Sequence, residues 1–235
     1  MSYNSSILNK LRILLIPISI VYFFIIHLRR ILYDKVVLKK FKSKVKIISV
    51  GNINTGGSGK SPLVNYIAKY FLSKNLKIGI LSRGYGRKNK NLQLAFKDGI
   101  LGTTDKCGDE LIMISQNLIK NNFINFIAVA DENKINGIKF LENNKVDLIL
   151  LDDGFQSDYL FKDSDIVILD ADEEFSSSIQ NQLLLPAGNL RVPKSFLKNA
   201  SVIIQNNKTK DFGLLNNKYV LVNYEIKGIY NFQDE

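Results

Sequence analysis

The stretch Val45-Lys46-Ile47-Ile48-Ser49-Val50-Gly51-Asn52-Ile53-Asn54-Thr55-Gly56-Gly57-Ser58-Gly59-Lys60-Ser61 decides the fold. Its first part is rich in β-branched residues and reads as a strand. A glycine-rich loop follows. Lys60-Ser61 then opens a helix, whose apolar residues keep helical spacing from Leu63 to Leu72. Strand, glycine loop, Lys-Ser and helix together are the layout of a phosphate-binding P-loop. Glycine lets the backbone approach an anion closely and aim N–H groups at it. The helix N-terminus adds unpaired donors and the positive end of its dipole. In such a loop Lys60 reaches the β- and γ-phosphates and the Ser61 hydroxyl ligates Mg2+. The consensus G-x-x-x-x-G-K-[ST] puts its first glycine at Asn54, and asparagine tolerates left-handed backbone. Pro62 falls in the first helical turn, where a missing N–H costs nothing.

Hydrophobic residues make up 46% of the 235, ample for the core of one large α/β domain or one domain plus extras. The formal net charge of +10 suits an anionic partner: a membrane surface, a phosphorylated ligand or a nucleic acid. Cys107 is the one cysteine, so no internal disulfide forms, as a reducing compartment allows. His27 is the one histidine, which excludes a multi-histidine metal site within the chain.

Ile13 to Ile26 carries no charge, but it is shorter than the ~20 residues of a spanning helix. No small-residue cleavage site of a secretory signal follows it. Arg29, Arg30, Lys35, Lys39, Lys40, Lys42, Lys44 and Lys46 come next, opposed only by Asp34. An apolar helix beside a cationic run predicts insertion into one leaflet of an anionic membrane, with the positive flank on the cytoplasmic side. The plainer alternative is a core helix followed by a solvated tail.

After the P-loop helix, strand and helix patterns alternate. Lys77 to Ser82 reads as a buried strand, and Ser82-Arg83-Gly84-Tyr85-Gly86-Arg87 follows it. Loops after strand C-termini face the ligand crevice of an α/β sheet, so Arg83 and Arg87 are candidates for phosphate contact. Leu92 to Phe96 alternates like a hairpin strand. Gly108-Asp109-Glu110 precedes a helix from Leu111 to Ile119, where Asp109 serves equally as a first-turn acid or as a catalytic carboxylate. Phe126 to Ala130 reads as a strand and Glu132 to Asn143 as a helix. The apolar run Val146 to Leu151 ends in Asp152-Asp153-Gly154-Phe155-Gln156. An acidic pair at a strand tip downstream of a P-loop is the Walker B arrangement, in which one carboxylate holds Mg2+ or its water. Asp165 to Asp170, Ser201 to Gln205 and Tyr219 to Tyr224 complete the strand patterns, and Leu183 to Pro193 is a loop with one arginine, Arg191. The alternation predicts an α/β fold: a doubly wound, mostly parallel sheet of the P-loop NTPase type, preceded by an apolar membrane-associated helix. Basic residues lie beside an apolar segment rather than on an aromatic strand platform, which argues against nucleic acid as partner.

Five motifs in order, S-V-G-N-x-x-x-G-G-S-G-K-S-P, S-R-G-Y-G-R, G-D-E, L-L-D-D-G-F-Q and L-L-P-A-G-x-L-R, resemble those of the tetraacyldisaccharide 4'-kinases, also called lipid A 4'-kinases. The likeness runs from the N-terminal apolar segment to about Gln205, and more faintly to Gly228-Ile229-Tyr230-Asn231-Phe232. The resemblance implies an enzyme of the cytoplasmic face of the bacterial inner membrane. It would use ATP and Mg2+ to phosphorylate the 4'-hydroxyl of a lipid A disaccharide 1-phosphate precursor, giving lipid IVA. Carried onto this chain, it implies that Asn54, Thr55, Gly56, Gly57, Ser58, Gly59, Lys60 and Ser61 bind ATP. Asp152 and Asp153 would serve the metal, Asp109 would be the general base, and Arg83 and Arg191 would lie near anionic groups. The family usually has histidine where this chain has Ser157, and an acid where it has Val192. The expected division is an apolar helix with basic flank over 1–44 and a P-loop kinase domain over 45–235, without the histidine-bearing C-terminal lobe of the family. Two other readings stay open at this point. One is a membrane-associated P-loop ATPase switch, against which stands Thr55, since such switches often carry lysine there. The other is a truncated, non-catalytic nucleotide- and lipid-binding remnant.

Overall fold

The computed structural model describes residues 2–174, 176, 178–207, 213 and 219–223. Tyr224 and the stretch 228–232 lie outside the described residues. Helix α1 (Ser2–Asp34) leads into β1 (Lys46–Gly51), the P-loop and α2 (Lys60–Leu72). Then come β2 (Ile78–Ser82), the hairpin β3 (Gln93–Lys97) and β4 (Ile100–Leu101), and the short α3 (Thr104–Cys107). Helix α4 (Asp109–Lys120), β5 (Phe126–Ala130), α5 (Lys134–Asn143), β6 (Leu148–Asp152) and β7 (Ser164–Asp170) continue the alternation. The short α6 (Ala171–Glu174), two 3-10 turns (Ile179–Asn181 and Lys194–Asn199), β8 (Val202–Asn207) and β9 (Tyr219–Asn223) follow.

Among the described residues, one sheet of nine strands runs in the order β4-β3-β5-β2-β6-β1-β7-β8-β9. Of these, only β3 runs against the body, pairing antiparallel with β5 and with β4. All five residues of β2, β5 and β6 are buried, as central parallel strands covered on both faces must be. Val50, Ile80, Ala128 and Leu150 pack against α2 and α4 on one face. Ile47, Leu81, Val129 and Ile149 pack against α5 on the other. That is the doubly wound arrangement. A third cluster joins Val167 and Leu169 of β7 to Phe155, Leu190, Phe196 and Ile26 of α1. Strands β1, β2 and β6 end side by side, so the loops after them converge at one edge of the sheet.

The N-terminal element corrects the sequence reading. The helix is not confined to Ile13–Ile26: it spans 33 residues, and within the 23 residues from Arg12 to Asp34 an 18-residue window has mean hydropathy 1.8, by length and composition enough to cross a membrane. The segment looks shorter in the sequence because Arg29 and Arg30 interrupt it. In the helix these two turn toward the protein, while Leu28 and Ile31 extend the exposed apolar side. Nor is α1 a fully buried core helix, since Ile26 is buried while Leu14, Phe24 and Ile25 are exposed.

Candidate functional site

The P-loop turns where its glycines permit it. Gly56 and Gly59 have φ of 144° and 96°, and Gly59 is the N-cap of α2, so Lys60 and Ser61 stand in its first turn. Asn54 does not take the left-handed backbone expected of it: among the described residues it is absent from the positive-φ set. It is buried, bridges to Leu190 as a strand would, and its side-chain amide donates to the Glu173 carboxylate. The Thr55 amide donates to Asn189 O at 2.8 Å. The loop 184–192 thus lies against the outer side of the P-loop. Asn206, at the end of β8, donates to Ser58 O at 2.9 Å from beneath.

The open side of the P-loop faces a cleft. Thr55, Gly56, Gly57, Ser58, Gly59, Lys60 and Ser61 line it, as do Arg83, Asp109, Asp152, Asp153 and Arg191. The site residues named from the sequence are therefore in one cleft, apart from Asn54, which packs behind the loop, and Arg87. Gly108 explains how Asp109 arrives there. Its φ is 86°, and a Cβ on it would stand 3.0 Å from Tyr85 O and 3.1 Å from Gly84 Cα, so only glycine lets the two loops close together. The N-cap of α4 is Gly108 itself, so Asp109 does not cap that helix with its side chain. Arg83 sits at the exposed rim, 3.8 Å from Glu132. Arg87 is corrected: its guanidinium donates to Arg83 O and Lys90 O and braces its own loop, rather than reaching the cleft.

The two strand-end aspartates have different surroundings. Asp152 is buried, one oxygen accepts from Ser82 Oγ at 3.2 Å, and Oδ1 has no hydrogen-bond partner among the described residues. Burial, with the nearby Glu110 and Asp153 charges, pushes its pKa up to about 6, against the pull of Lys60. Asp153 has φ of 53°, and both of its oxygens accept from Arg191 Nη1 at 2.8 Å. An unpartnered, buried carboxylate oxygen in the same cleft as the Ser61 hydroxyl offers hard oxygens that suit Mg2+. Among the described residues no group of three or more His, Cys, Asp or Glu forms an all-protein cage. That donor set matches an ion held by one or two protein oxygens, waters and phosphate oxygens.

The model of the tetraacyldisaccharide-1-P 4'-kinase family matches residues 11–228. The chain belongs to that family. It is similar to the tetraacyldisaccharide 4'-kinase of Chlorobium luteolum, at 36% identity over 203 residues covering 83% of this chain and 54% of that one. It is 40% identical over 213 residues to the enzyme of that name from Francisella tularensis subsp. tularensis, covering 89% and 62%. Among solved structures, LpxK from Aquifex aeolicus in complex with ATP matches at TM-score 0.74 and 34% identity, covering 89% of this chain and 64% of that one. This chain thus spans between half and two thirds of the length of these relatives.

At position 157, where the resemblance leads to the expectation of a histidine, the chain places a buried serine against a buried lysine. Lys134, in the first turn of α5, donates to Ser157 Oγ at 2.9 Å and to Asp153 O at 2.6 Å. Burial lowers its pKa to about 8, against the pull of Asp153 and Asp152. Nothing in the residue pattern marks Lys134, because a lysine in a helical first turn is ordinarily a solvated one. Glu110, Gln156 and Tyr22 also line the cleft without having been singled out.

Proposed function

We propose that this chain carries the ATP-binding lobe of a kinase that phosphorylates the 4'-hydroxyl of a tetraacyldisaccharide 1-phosphate, giving lipid IVA. Residues 45–235 form the kinase domain, and residues 1–44 bring it to the cytoplasmic face of an anionic membrane. The observation that carries the reading is the convergence of Lys60, Ser61, Asp109 and the unpartnered oxygen of Asp152 on one cleft. The backbone of Thr55–Gly59 and the Lys60 ammonium hold the β- and γ-phosphates of ATP. Ser61 and Asp152 are the residues to hold Mg2+, which when bound neutralises charge on the phosphates. Asp153, already matched by Arg191, orients the wall beside that pair and is the weaker candidate for metal contact. Asp109 accepts the proton of the 4'-hydroxyl as its oxygen attacks the γ-phosphorus and ADP leaves. Arg83 and Arg191 add positive charge around the anionic groups. The switch reading is not favoured by the family match.

Two variants separate binding from chemistry. Lys60→Ala removes a charge-assisted phosphate contact worth about 1.5–3 kcal/mol, so calorimetry should show ATP binding weakened about 10- to 100-fold. Asp109→Asn should leave ATP affinity intact and lower phosphate transfer to the disaccharide 1-phosphate by about 10²–10⁴-fold. Equal ATP affinity in Lys60→Ala and the parent would remove the P-loop from the mechanism. Loss of ATP binding in Asp109→Asn would make that carboxylate structural.

A further inference from the structure

Helix α1 has two stripes of different chemistry. Leu14, Ile18, Val21, Ile25 and Leu28 recur at spacings of four and three, and each is more than half exposed. The opposite stripe carries Ser19, Tyr22, Ile26, Arg29 and Arg30, and its polar members are hooked into the loops that form the cleft wall. Ser19 Oγ donates to Leu184 O at 3.0 Å and accepts from the Ala187 amide at 3.0 Å. The Tyr22 hydroxyl donates to Arg191 O at 2.8 Å, and Arg191 is the residue that grips Asp153. Arg29 donates through Nε and Nη2 to Asp158 Oδ2 at 3.1 and 2.8 Å, and through Nη2 to Gln156 O at 3.0 Å. Gln156 in turn donates to Asn52 O at 2.7 Å, at the root of the P-loop.

We propose that Arg29 and Tyr22 are positioning residues, through which α1 fixes the loop 152–158 and Arg191 against the P-loop. The functional side of this inference rests on the reading of the cleft as a nucleotide site; the structural side does not. Asp158 is a buried carboxylate, its side chain 7% exposed, and its close partner is Arg29; Arg30 stands farther off at 3.8 Å. A buried carboxylate that loses its fork of donors is driven to seek water, and the shortest way is to swing its own loop outward. That loop is otherwise held by Lys134 on Asp153 O and Ser157 Oγ, by Lys162 on Gly154 O at 3.1 Å, by Gln156 Nε2 on Asn52 O and by one long amide bond, Gly154 to Val50 O at 3.3 Å. None of those contacts reaches the Asp158 carboxylate. The chain separation of 127 and 129 residues between Arg29 and its two partners makes this a tertiary device and not a local turn. An element whose other stripe is suited to lipid is thus also a wall support of the site.

Amide hydrogen exchange on the whole chain, bound to vesicles containing phosphatidylglycerol, reads the loop directly and needs no nucleotide. The Gly154 and Ser157 amides are hydrogen-bonded to Val50 O and Gly154 O, and the Arg191 amide to Ile53 O, so all three report wall closure. Arg29→Gln is expected to speed exchange at Gly154 and Ser157 by about tenfold, with amides of β2 and β5 unchanged. Tyr22→Phe should speed the Arg191 amide by about threefold, and Arg29→Lys, which keeps charge but loses the fork, should recover part of the protection. ATP affinity measured with Mg2+ should fall by about fivefold in Arg29→Gln and stay unchanged without the metal. Unchanged exchange at Gly154 and Ser157 overturns the proposal. So does acceleration spread evenly over the central strands, because Arg29 would then be an ordinary fold contact. If the parent fails to bind ATP, the nucleotide reading falls alone, since the exchange result is obtained without it.

Discussion

Asp152 shows how one residue can be costly to the fold and still be kept. Its carboxylate is buried with a single side-chain donor, Ser82, and its pKa is raised from 3.8 to about 6. A group whose folded pKa lies above its unfolded value binds protons more readily when folded. Stability therefore rises as pH falls through about 6, and the cost of the ionised form is fully present above that pH and gone below the unfolded pKa near 4. The size of the cost is about 3 kcal/mol. Asp152→Asn should accordingly raise the melting temperature by several degrees at pH 7.5, with the gain vanishing toward pH 4. Scanning calorimetry of both proteins across that range checks it, and a gain independent of pH would show that the charge is not the cause. The same variant should lose Mg2+-dependent tightening of nucleotide binding, because it removes a hard-oxygen ligand. Of the strand-end pair the sequence located both members and could not rank them. The difference is made by Arg191, 38 residues away, which occupies Asp153 and leaves Asp152 with a bare oxygen.

At the scale of elements, what periodicity controls was legible and what docking controls was not. Phe126–Ala130 is a strand at its expected bounds, and the helix after the P-loop ends at Leu72 as its apolar spacing requires. Strand existence follows from local composition, so it can be read locally. The true length of α1 was hidden, because Arg29 and Arg30 look like the end of an apolar segment until Asp158 and the Phe196 ring are seen to receive them. The strand-like placement of Asn54 was hidden in the same way, since its partners Glu173 and Leu190 are more than 100 residues distant. The two stripes of α1 lead to a test at this scale. Ile18→Ser, Val21→Ser and Ile25→Ser together remove apolar area from the exposed stripe and touch none of the hooks to the cleft wall. Each side chain is worth about 1.5–3 kcal/mol when buried, so even partial burial in lipid predicts partitioning to vesicles weakened by more than about tenfold. The melting temperature measured without vesicles should stay within a few degrees of the parent. A triple variant that binds vesicles as the parent does would mean that this stripe is not what meets the membrane.

At the scale of the whole molecule, the exposed apolar stripe of α1 is followed directly in the chain by a run of exposed lysines. The net charge of +10 is not spread evenly: Lys35, Lys39, Lys42 and Lys44 are all exposed in the segment that joins α1 to β1, and Lys46 is exposed at the start of β1. The strands place the P-loop and both aspartates at one edge of the sheet, and α1 reaches the same edge through Tyr22, which lines the cleft. Two separable forces hold such a protein on a membrane. The apolar term depends on the stripe of α1 and is nearly indifferent to salt. The electrostatic term depends on the lysines, contributes about 1 kcal/mol each near an anionic surface, and fades as the screening length shrinks from about 10 Å at 0.1 M to about 3 Å at 1 M salt. Lys35→Gln, Lys39→Gln and Lys44→Gln together lower the net charge from +10 to +7, three positive charges fewer. On vesicles containing anionic lipid at 0.1 M salt the triple variant should partition more weakly than the parent by about 10²-fold. At 1 M salt, or on vesicles of neutral lipid alone, the two proteins should partition alike, both retained by the apolar stripe. Centrifugation of protein with vesicles at the two salt concentrations measures all four values. A deficit of the variant that persists on neutral vesicles would mean that the lysines act through the fold of the linker and not through the field of the membrane.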